Sequence, residues 1–172
     1  MQQQKPLVIL GSARGDGDTR KLIDMVFGDS PYDMVDLLDY QIAPYNYREI
    51  YTEEDQFLEV ANRLYEYSAI VFATPVYWYA MSGQMKIFFD RITDLLHTKE
   101  ELRAKLKGKK IFVLAVSASP QLPEGFEYPF AETATYLNME FGGSYFSPCY
   151  HLDNPPPGME EFLQNVNQSV LV

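Results

Sequence analysis

Short apolar runs alternate along this chain with segments whose apolar residues recur at helical spacing. The runs are continuous rather than alternating with polar residues, which is typical of strands buried on both faces of a sheet. Such runs predict strands over residues 7–10, 69–73 and 111–116, while a weaker pattern predicts a strand over 34–38 and a short last strand over 145–146. The pattern therefore predicts a parallel sheet covered by helices.

Helical spacing and stop signals predict the covering helices. The first has its apolar stripe at residues 22–26 and ends at Gly28. The second spans residues 52–64, with Asp55 at the capping-box position. The third spans residues 82–96 and is extended by the charged segment 99–107 up to Gly108. The later ones span 130–141, stopped by Gly142 and Gly143, and 159–168, after the prolines at 155–157. Residues 41–51 are predicted to form a loop.

Strand and helix alternate in the order that produces parallel strands joined by crossover helices. Right-handed crossovers turn such a chain into an open, doubly wound sheet. Ligands bind these sheets at the carboxyl ends of the strands, near the point where the strand order reverses. Three loops follow strands in this way, at residues 11–19, 74–82 and 117–125, and their small, polar or aromatic residues suit a ligand.

Composition restricts the class of protein. A chain of 172 residues with 47% apolar content is expected to form one domain over residues 1–172. The net charge of −10 argues against nucleic-acid and anionic-membrane partners, because both are polyanions. We recognise no signal peptide and no apolar run of about 18 residues, the length that a membrane span needs, and therefore expect a cytoplasmic location.

Few residues offer metal or thiol chemistry. Cys149 is the single cysteine, so no intrachain disulfide can form. His97 and His151 lie far apart in sequence and do not suggest a metal site. Cys149 is interpreted as a structural thiol rather than a nucleophile, since no activating motif accompanies it.

The first loop, GSARGDGDT at residues 11–19, links an apolar strand to a helix start. Amide groups and the dipole at a helix start favour an anion, and Ser12, Arg14 and Thr19 add side-chain donors suited to phosphate. The loop matches neither the Gly-Lys-Ser/Thr phosphate loop nor the Gly-x-Gly-x-x-Gly dinucleotide fingerprint. Asp18 would repel a phosphate unless it serves instead as the helix N-cap. An ordinary surface turn is the alternative for the whole loop.

The second loop, TPVYWYAMS at residues 74–82, carries consecutive aromatic residues beside the predicted sheet edge. Tyr77, Trp78 and Tyr79 offer flat surfaces for a flat ring system. The alternative is that these rings cover the core or a partner subunit. The third loop, SASPQLPEG at residues 117–125, offers hydroxyl and backbone groups and is the least specific of the three.

Two of these loops carry motifs that resemble the NAD(P)H-dependent FMN reductases of the flavodoxin-like superfamily. The motifs are Gly11-Ser12-x-Arg14 with Thr19, then Pro75-Val76-Tyr77-Trp78, Met81-Ser82-Gly83-Gln84-Met85-Lys86 and Phe89-Asp90-Arg91. The likeness spans most of the chain and is strongest over residues 7–22 and 70–91. It implies an α/β, flavodoxin-like three-layer sandwich, with a five-stranded parallel sheet in the order 2-1-3-4-5 and non-covalently bound FMN.

The resemblance also implies roles for individual residues. It assigns the FMN phosphate to the first loop, the border of the isoalloxazine ring to the second, and the other side of the ring to the third. The expected cofactor-binding set is Ser12, Arg14, Asp18, Thr19, Pro75, Val76, Tyr77, Trp78, Ser117 and Ser119. The family usually has Asn where Asp18 stands. Residues 41–55 lack the cysteine cluster of the iron–sulfur branch, so an iron–sulfur centre is excluded.

The same resemblance implies an enzyme. We expect hydride transfer from NAD(P)H through bound FMN, in a ping-pong sequence, to a quinone-like, nitro- or azo-aromatic or free flavin acceptor. No side chain stands out as a general acid. Family members are commonly dimers or tetramers, so a homo-oligomer is expected.

Three other functions suit the same class of fold. They are a flavodoxin-type one-electron carrier, a flavin-free interaction module and a response-regulator-like domain. The last is disfavoured because Gly11-Ser12 and Thr74-Pro75 occupy the positions of its acidic residues. Arg14 and the motifs over residues 75–91 favour a reductase over the carrier.

Overall fold

The computed structural model describes residues 4–170, without the side chains of 97–100 and 102–103, so the side chain of His97 lies outside the described residues. Its strands are β1 (Leu7–Leu10), β2 (Asp33–Asp36), β3 (Ala69–Pro75), β4 (Lys110–Ser117) and β5 (Glu140–Pro148). They form one five-stranded sheet in the order β2-β1-β3-β4-β5, and every neighbouring pair is parallel. The flavodoxin-like order implied by the resemblance is confirmed.

Helices cover both faces of this sheet. They are α1 (Asp18–Phe27), α2 (Phe57–Arg63), α3 (Gly83–Arg91), α4 (Lys99–Leu106), α5 (Tyr128–Tyr136) and α6 (Met159–Gln168). Because strand side chains alternate between faces, Leu7 and Ile9 pack with α2, α3 and α5, whereas Val8 and Leu10 pack with α1 and α6. Burial on both faces is confirmed for β1, β3 and the interior of β4, whereas the edge strands β2 and β5 are only partly buried.

Among the described residues, no helix combines the length and the apolar character needed to cross a membrane.

The second strand ends earlier than predicted. It ends at Asp36, and Leu37–Asp39 forms a 3-10 turn, with the Asp36 carboxylate accepting a hydrogen bond from the amide of Leu38. The carboxylate of Asp36 thus takes the place of the next backbone hydrogen bond of the sheet.

The second helix begins later than the sequence predicts. α2 starts at Phe57 with Gln56 as its N-cap, so the expected start at residue 52 is wrong. The Asp55 carboxylate accepts hydrogen bonds from the amides of Ala43 at 2.9 Å and Phe57 at 3.2 Å, and it pairs with Arg91. A tertiary ion pair therefore holds Asp55 outside the helix, which local spacing does not reveal.

The helix predicted over 130–141 is too long. α5 ends at Tyr136, and Asn138 follows with a φ of 59°, which turns the chain away from the helix. Gly142 and Gly143, predicted to stop this helix, lie inside the nine-residue strand β5. A Cβ at Gly142 would stand 2.2 Å from the ring of Phe112, so glycine permits the close approach of β5 to β4.

Candidate functional site

One cleft of about 300 Å³ lies where β1, β3, β4 and β5 end. Its lining residues are Ser12, Arg14, Gly17, Asp18, Thr19, Pro75, Val76, Tyr77, Val116, Ser117, Ala118 and Cys149. Eight of the ten residues expected to bind the cofactor are in this lining, while Trp78 and Ser119 are outside it. The parallel topology therefore brings the three ligand loops together, as their positions after the strands predict.

Buried hydroxyl groups and a helix start form one end of the cleft. Ser12 and Thr19 are only 4% and 1% exposed, although both carry hydroxyl groups. Gly17 is the N-cap of α1 and provides no side-chain acceptor, so the amides of the first helical turn remain available to a ligand. The exposed Arg14 adds a guanidinium at the rim. This end of the cleft has the donors and the dipole that an anion needs.

Asp18 is the first residue of α1 and not its N-cap, which corrects the capping role considered from the sequence. Its carboxylate accepts a hydrogen bond from Lys21 Nζ at 3.1 Å. Arg20 does not offset this charge, because it pairs with Asp24 at 2.9 Å. The helix dipole stabilises a carboxylate in the first turn. Asp18 therefore competes with any bound anion for the same dipole.

The aromatic segment of the second loop forms a tight two-residue turn. Tyr77 and Ala80 exchange backbone hydrogen bonds of 2.9 and 3.1 Å, with Trp78 and Tyr79 at the tip. Both tip residues have positive φ, 48° and 68°, which costs an L-residue roughly 1–2 kcal/mol. Their side chains are 92% and 77% exposed. The strained turn presents aromatic surface outside the protein, so these two rings do not cover the core.

Hydroxyl groups tie the first two loops together. Thr74 Oγ1 donates to the Pro75 carbonyl and accepts from the amide of Ser82, both at 3.0 Å. Ser82 Oγ then donates to the Gly11 carbonyl at 2.6 Å and caps α3 by accepting from the amide of Met85. The sequence predicts Ser82 as a helix start, and this is confirmed. Its bond to Gly11 was missed, because no local pattern reveals a contact between loops 71 residues apart.

The ends of β4 and β5 form a further wall. Ser117 Oγ accepts a hydrogen bond from the amide of Ser119 at 2.9 Å, which shapes the third loop. Cys149 joins this wall because Pro148 pairs with Ser117 in the sheet register. Cys149 was not predicted as a site residue, although the strand order puts the end of β5 beside the end of β4. Across the described residues, no group of three or more potential ligands is placed to hold a metal ion.

A buried cation fixes the segment before α2 onto α3. Arg91 is 2% exposed and forms a bidentate pair with Asp55, with distances of 2.8 and 2.9 Å. Its Nε donates to Asp94 at 2.5 Å, NH1 donates to the Ala43 carbonyl at 2.9 Å, and the guanidinium lies 3.5 Å from the ring centre of Tyr51. Burial alone raises the pKa of Asp55, but Arg91 and two amides outweigh it, so this pKa lies below its ordinary value.

Comparisons with known proteins agree with this geometry. The profile of the NADPH-dependent FMN reductase family matches residues 5–147. A Bacillus subtilis (strain 168) protein, provisionally named NAD(P)H-dependent FMN-containing oxidoreductase YwqN, is 26% identical over 151 residues, which are 81% of this chain and 82% of that protein.

Solved structures share the fold. The Trp repressor binding protein from Bacillus subtilis has a TM-score of 0.68 at 22% identity, with 96% of this chain and 97% of that chain covered. The FMN-dependent NADH-azoreductase from Bacillus anthracis str. Ames Ancestor, in complex with FMN, has a TM-score of 0.63 at 10% identity, with 97% and 98% covered. The family match includes all three loops around the cleft. This chain belongs to the NADPH-dependent FMN reductases, enzymes that use FMN as cofactor and NAD(P)H as substrate.

Proposed function

We propose that the cleft at the carboxyl ends of the strands holds FMN, with the phosphate at the start of α1. The observation that carries this proposal is the uncapped N-terminus of α1 beside the buried hydroxyl groups of Ser12 and Thr19. These groups and the guanidinium of Arg14 are suitable donors for a phosphate. Asp18 also lines this end of the cleft and would lie near the phosphate, where Lys21 offsets part of its negative charge.

The rest of the cleft suits the flat part of the cofactor. Pro75, Val76 and Tyr77 line it from the second loop, and Ser117 lines it from the third. We assign the isoalloxazine ring to these walls, since apolar and aromatic side chains bind flat rings. Trp78 would border the ring system from the exposed turn. In the same proposal, Ser119 acts through its hydrogen bond to Ser117.

FMN supplies the hydride chemistry when bound, and the protein supplies binding and orientation. Ser12, Thr19 and the first turn of α1 fix one end of the cofactor. Among the described residues, Asp18 is the one carboxylate in the cleft lining, and it is engaged by Lys21. We therefore assign no side chain as a general acid. The exposed rim at Arg14 and Tyr77 leaves the cleft accessible to water as a proton source.

The acceptor is a quinone-like, nitro- or azo-aromatic molecule or a free flavin. Support comes from the exposed rings of Tyr77, Trp78 and Tyr79 beside the cleft, which suit a flat aromatic molecule. The azoreductase among the structural relatives uses an acceptor of this kind by its name. In this proposal the nicotinamide and the acceptor occupy the same open side of the cleft in turn, so the kinetics are ping-pong.

Steady-state kinetics test this order of binding. The initial rate is measured with varied NADH or NADPH at several fixed concentrations of a quinone, and the expected double-reciprocal lines are parallel. Intersecting lines would mean that both substrates bind together, which contradicts a ping-pong sequence. Repeating the assay with a nitroaromatic compound, an azo dye and free FMN ranks the acceptors, and turnover with none of the four would overturn the acceptor assignment.

We also propose that residues 1–172 act as one FMN-binding domain that assembles into a homo-oligomer in the cytoplasm. The exposed aromatic turn beside the cleft is the support for assembly, because solvent-exposed clusters of large rings are typical of interfaces. Sedimentation should give a mass of two or four times 19.8 kDa. A stable monomer at micromolar concentration, with FMN bound, would contradict the assembly.

A further inference from the structure

A second pocket lies at the opposite edge of the sheet from the FMN cleft, where β3, β4 and β5 begin. Its volume is about 520 Å³, and we name it the lysine pocket after Lys105, Lys107, Lys109 and Lys110 in its lining. Among the described residues, the lining contains one carboxylate, that of Glu140, beside four lysines, so this lining is positive in a chain whose net charge is −10. This local reversal of charge favours an anion as ligand.

Lys109 is a buried cation in this wall. It is 5% exposed, and its Nζ donates to the backbone carbonyls of Tyr65 at 3.0 Å and Tyr67 at 2.6 Å. In the part of the chain that the structure describes, no carboxylate pairs with it. Burial lowers the pKa of Lys109, because the charged form loses its hydration. An ammonium has three donors, so one remains for a ligand.

Ser68 is a second, independent observation that points to a ligand at this site. It lines the pocket and is 7% exposed, and its hydroxyl oxygen is buried with no hydrogen-bond partner among the described residues. Buried polar groups of folded proteins are nearly always paired. A hydroxyl can donate one hydrogen bond, and a bound oxyanion would accept it from Ser68.

The rim of the pocket offers a further free cation. Lys105 pairs with Glu101 at 2.6 Å, and Lys110 pairs with Glu140 at 3.4 Å. Lys107 has no such partner among the described residues, and it is exposed. Its flexible ammonium can therefore reach a ligand without giving up an existing ion pair.

We propose that the lysine pocket binds the phosphate group of a small phosphorylated molecule. A phosphate oxygen would accept from Lys109 and Ser68, and Lys107 would close over it. The volume of about 520 Å³ exceeds the need of a bare phosphate and leaves room for a small organic group. The pocket lies at the amino ends of the strands, so its ligand is separate from the FMN bound at their carboxyl ends.

Nuclear magnetic resonance of the FMN-loaded protein tests this site residue by residue. Inorganic phosphate and glycerol 2-phosphate are titrated separately, with the ionic strength held constant by sodium chloride. We expect saturable shifts of the amide signals of Ser68 and Lys109, while the signals of residues 11–19 stay unchanged. Tighter binding of glycerol 2-phosphate indicates an organic phosphate, and equal binding indicates recognition of the phosphate group alone. No saturable shift with either compound would overturn the proposal.

Matched variants separate a binding role from a structural one. Lys107→Gln and Ser68→Ala are each expected to weaken phosphate binding about tenfold, the loss for one charge-assisted hydrogen bond. Lys86→Gln makes the same charge change on the exposed face of α3 and should leave the affinity unchanged. Ser68→Ala removes an unpaired hydroxyl, so its melting temperature should not fall. Affinities equal to that of the unmodified protein in both pocket variants would contradict the site.

Discussion

At the scale of single residues, Thr19 offers the clearest test of the proposal that the phosphate of FMN binds at the start of α1. Thr19→Val keeps the shape of this buried side chain but replaces its hydroxyl with a methyl group. The affinity for FMN should fall roughly tenfold, since one hydrogen bond to a charged group contributes about 1.5–3 kcal/mol. Quenching of flavin fluorescence on binding measures this change. Thr93→Val, at an exposed position outside the cleft, is the control and should bind FMN normally.

Asp18 should oppose the cofactor at the same end. Asp18→Asn removes a half-exposed negative charge from the cleft lining and frees Lys21 from its ion pair. FMN should then bind about two- to fivefold tighter, the size expected for a solvent-screened charge. Asp16→Asn makes the same change at an exposed position of the same loop, outside the lining, and should have a smaller effect. Weaker FMN binding by Asp18→Asn alone would show that the carboxylate itself contacts the ligand.

At the scale of elements, the Arg91 pair should make stability depend on pH. The pKa of Asp55 is lowered in the folded protein, so this carboxylate stabilises the fold above its unfolded pKa of about 3.9 and loses that contribution as the pH falls further. Asp55→Asn should lower the unfolding free energy by about 3 kcal/mol at neutral pH, because Arg91 loses a buried partner. Urea unfolding between pH 7 and pH 3 should show the two proteins converging in acid.

An exposed ion pair on the same helix provides the control for this prediction. Asp90 pairs with Lys86 on the surface of α3. Asp90→Asn should cost less than about 1 kcal/mol, because solvent screens such pairs. If the unfolding free energies of Asp55→Asn and the unmodified protein differ by the same amount at every pH, the ionisation of Asp55 does not contribute to stability, and the prediction is contradicted.

The aromatic turn is strained, and relieving the strain should stabilise the protein. Trp78 has a φ of 48°, and glycine is the residue that adopts this conformation most easily. Trp78→Gly loses few contacts, because the ring of Trp78 is exposed. The unfolding free energy should rise by about 1 kcal/mol. FMN binding should weaken at the same time if Trp78 borders the ring system. Tyr47→Gly, at an exposed position without positive φ, should not stabilise the protein, and an equal gain there would contradict strain as the cause.

Local sequence patterns predicted the elements that depend on local interactions. The apolar run of β1 and the serine that caps α3 are both visible within a few residues of the chain. The start of α2 and the role of Gly142 were predicted wrongly, because distant partners decide them. Asp55 is held by Arg91, and Gly142 is required by the ring of Phe112. These long-range contacts carry no local signal.

At the scale of the whole molecule, the parallel topology explains why most of the cleft lining could be predicted from the sequence. Every strand of the sheet runs in the same direction, so loops after different strands converge at one edge. Cys149 was missed because β5 was predicted as two residues, at 145–146, and not as the strand that ends at Pro148. The four lysines of the lysine pocket lie within six residues of one another in the sequence, but the pocket was missed because only the folded sheet brings Ser68 and Glu140 beside them.

Rapid mixing of the FMN-loaded protein with NADH and with NADPH, in the absence of oxygen, tests the function of the whole molecule. Transfer of a hydride to the bound cofactor removes its visible absorbance, and a quinone added afterwards should restore it. We expect bleaching with at least one nicotinamide, at a rate no slower than turnover with the quinone. Bound FMN whose absorbance neither nicotinamide changes would contradict the proposed reaction, because the cofactor would then be bound but not reduced.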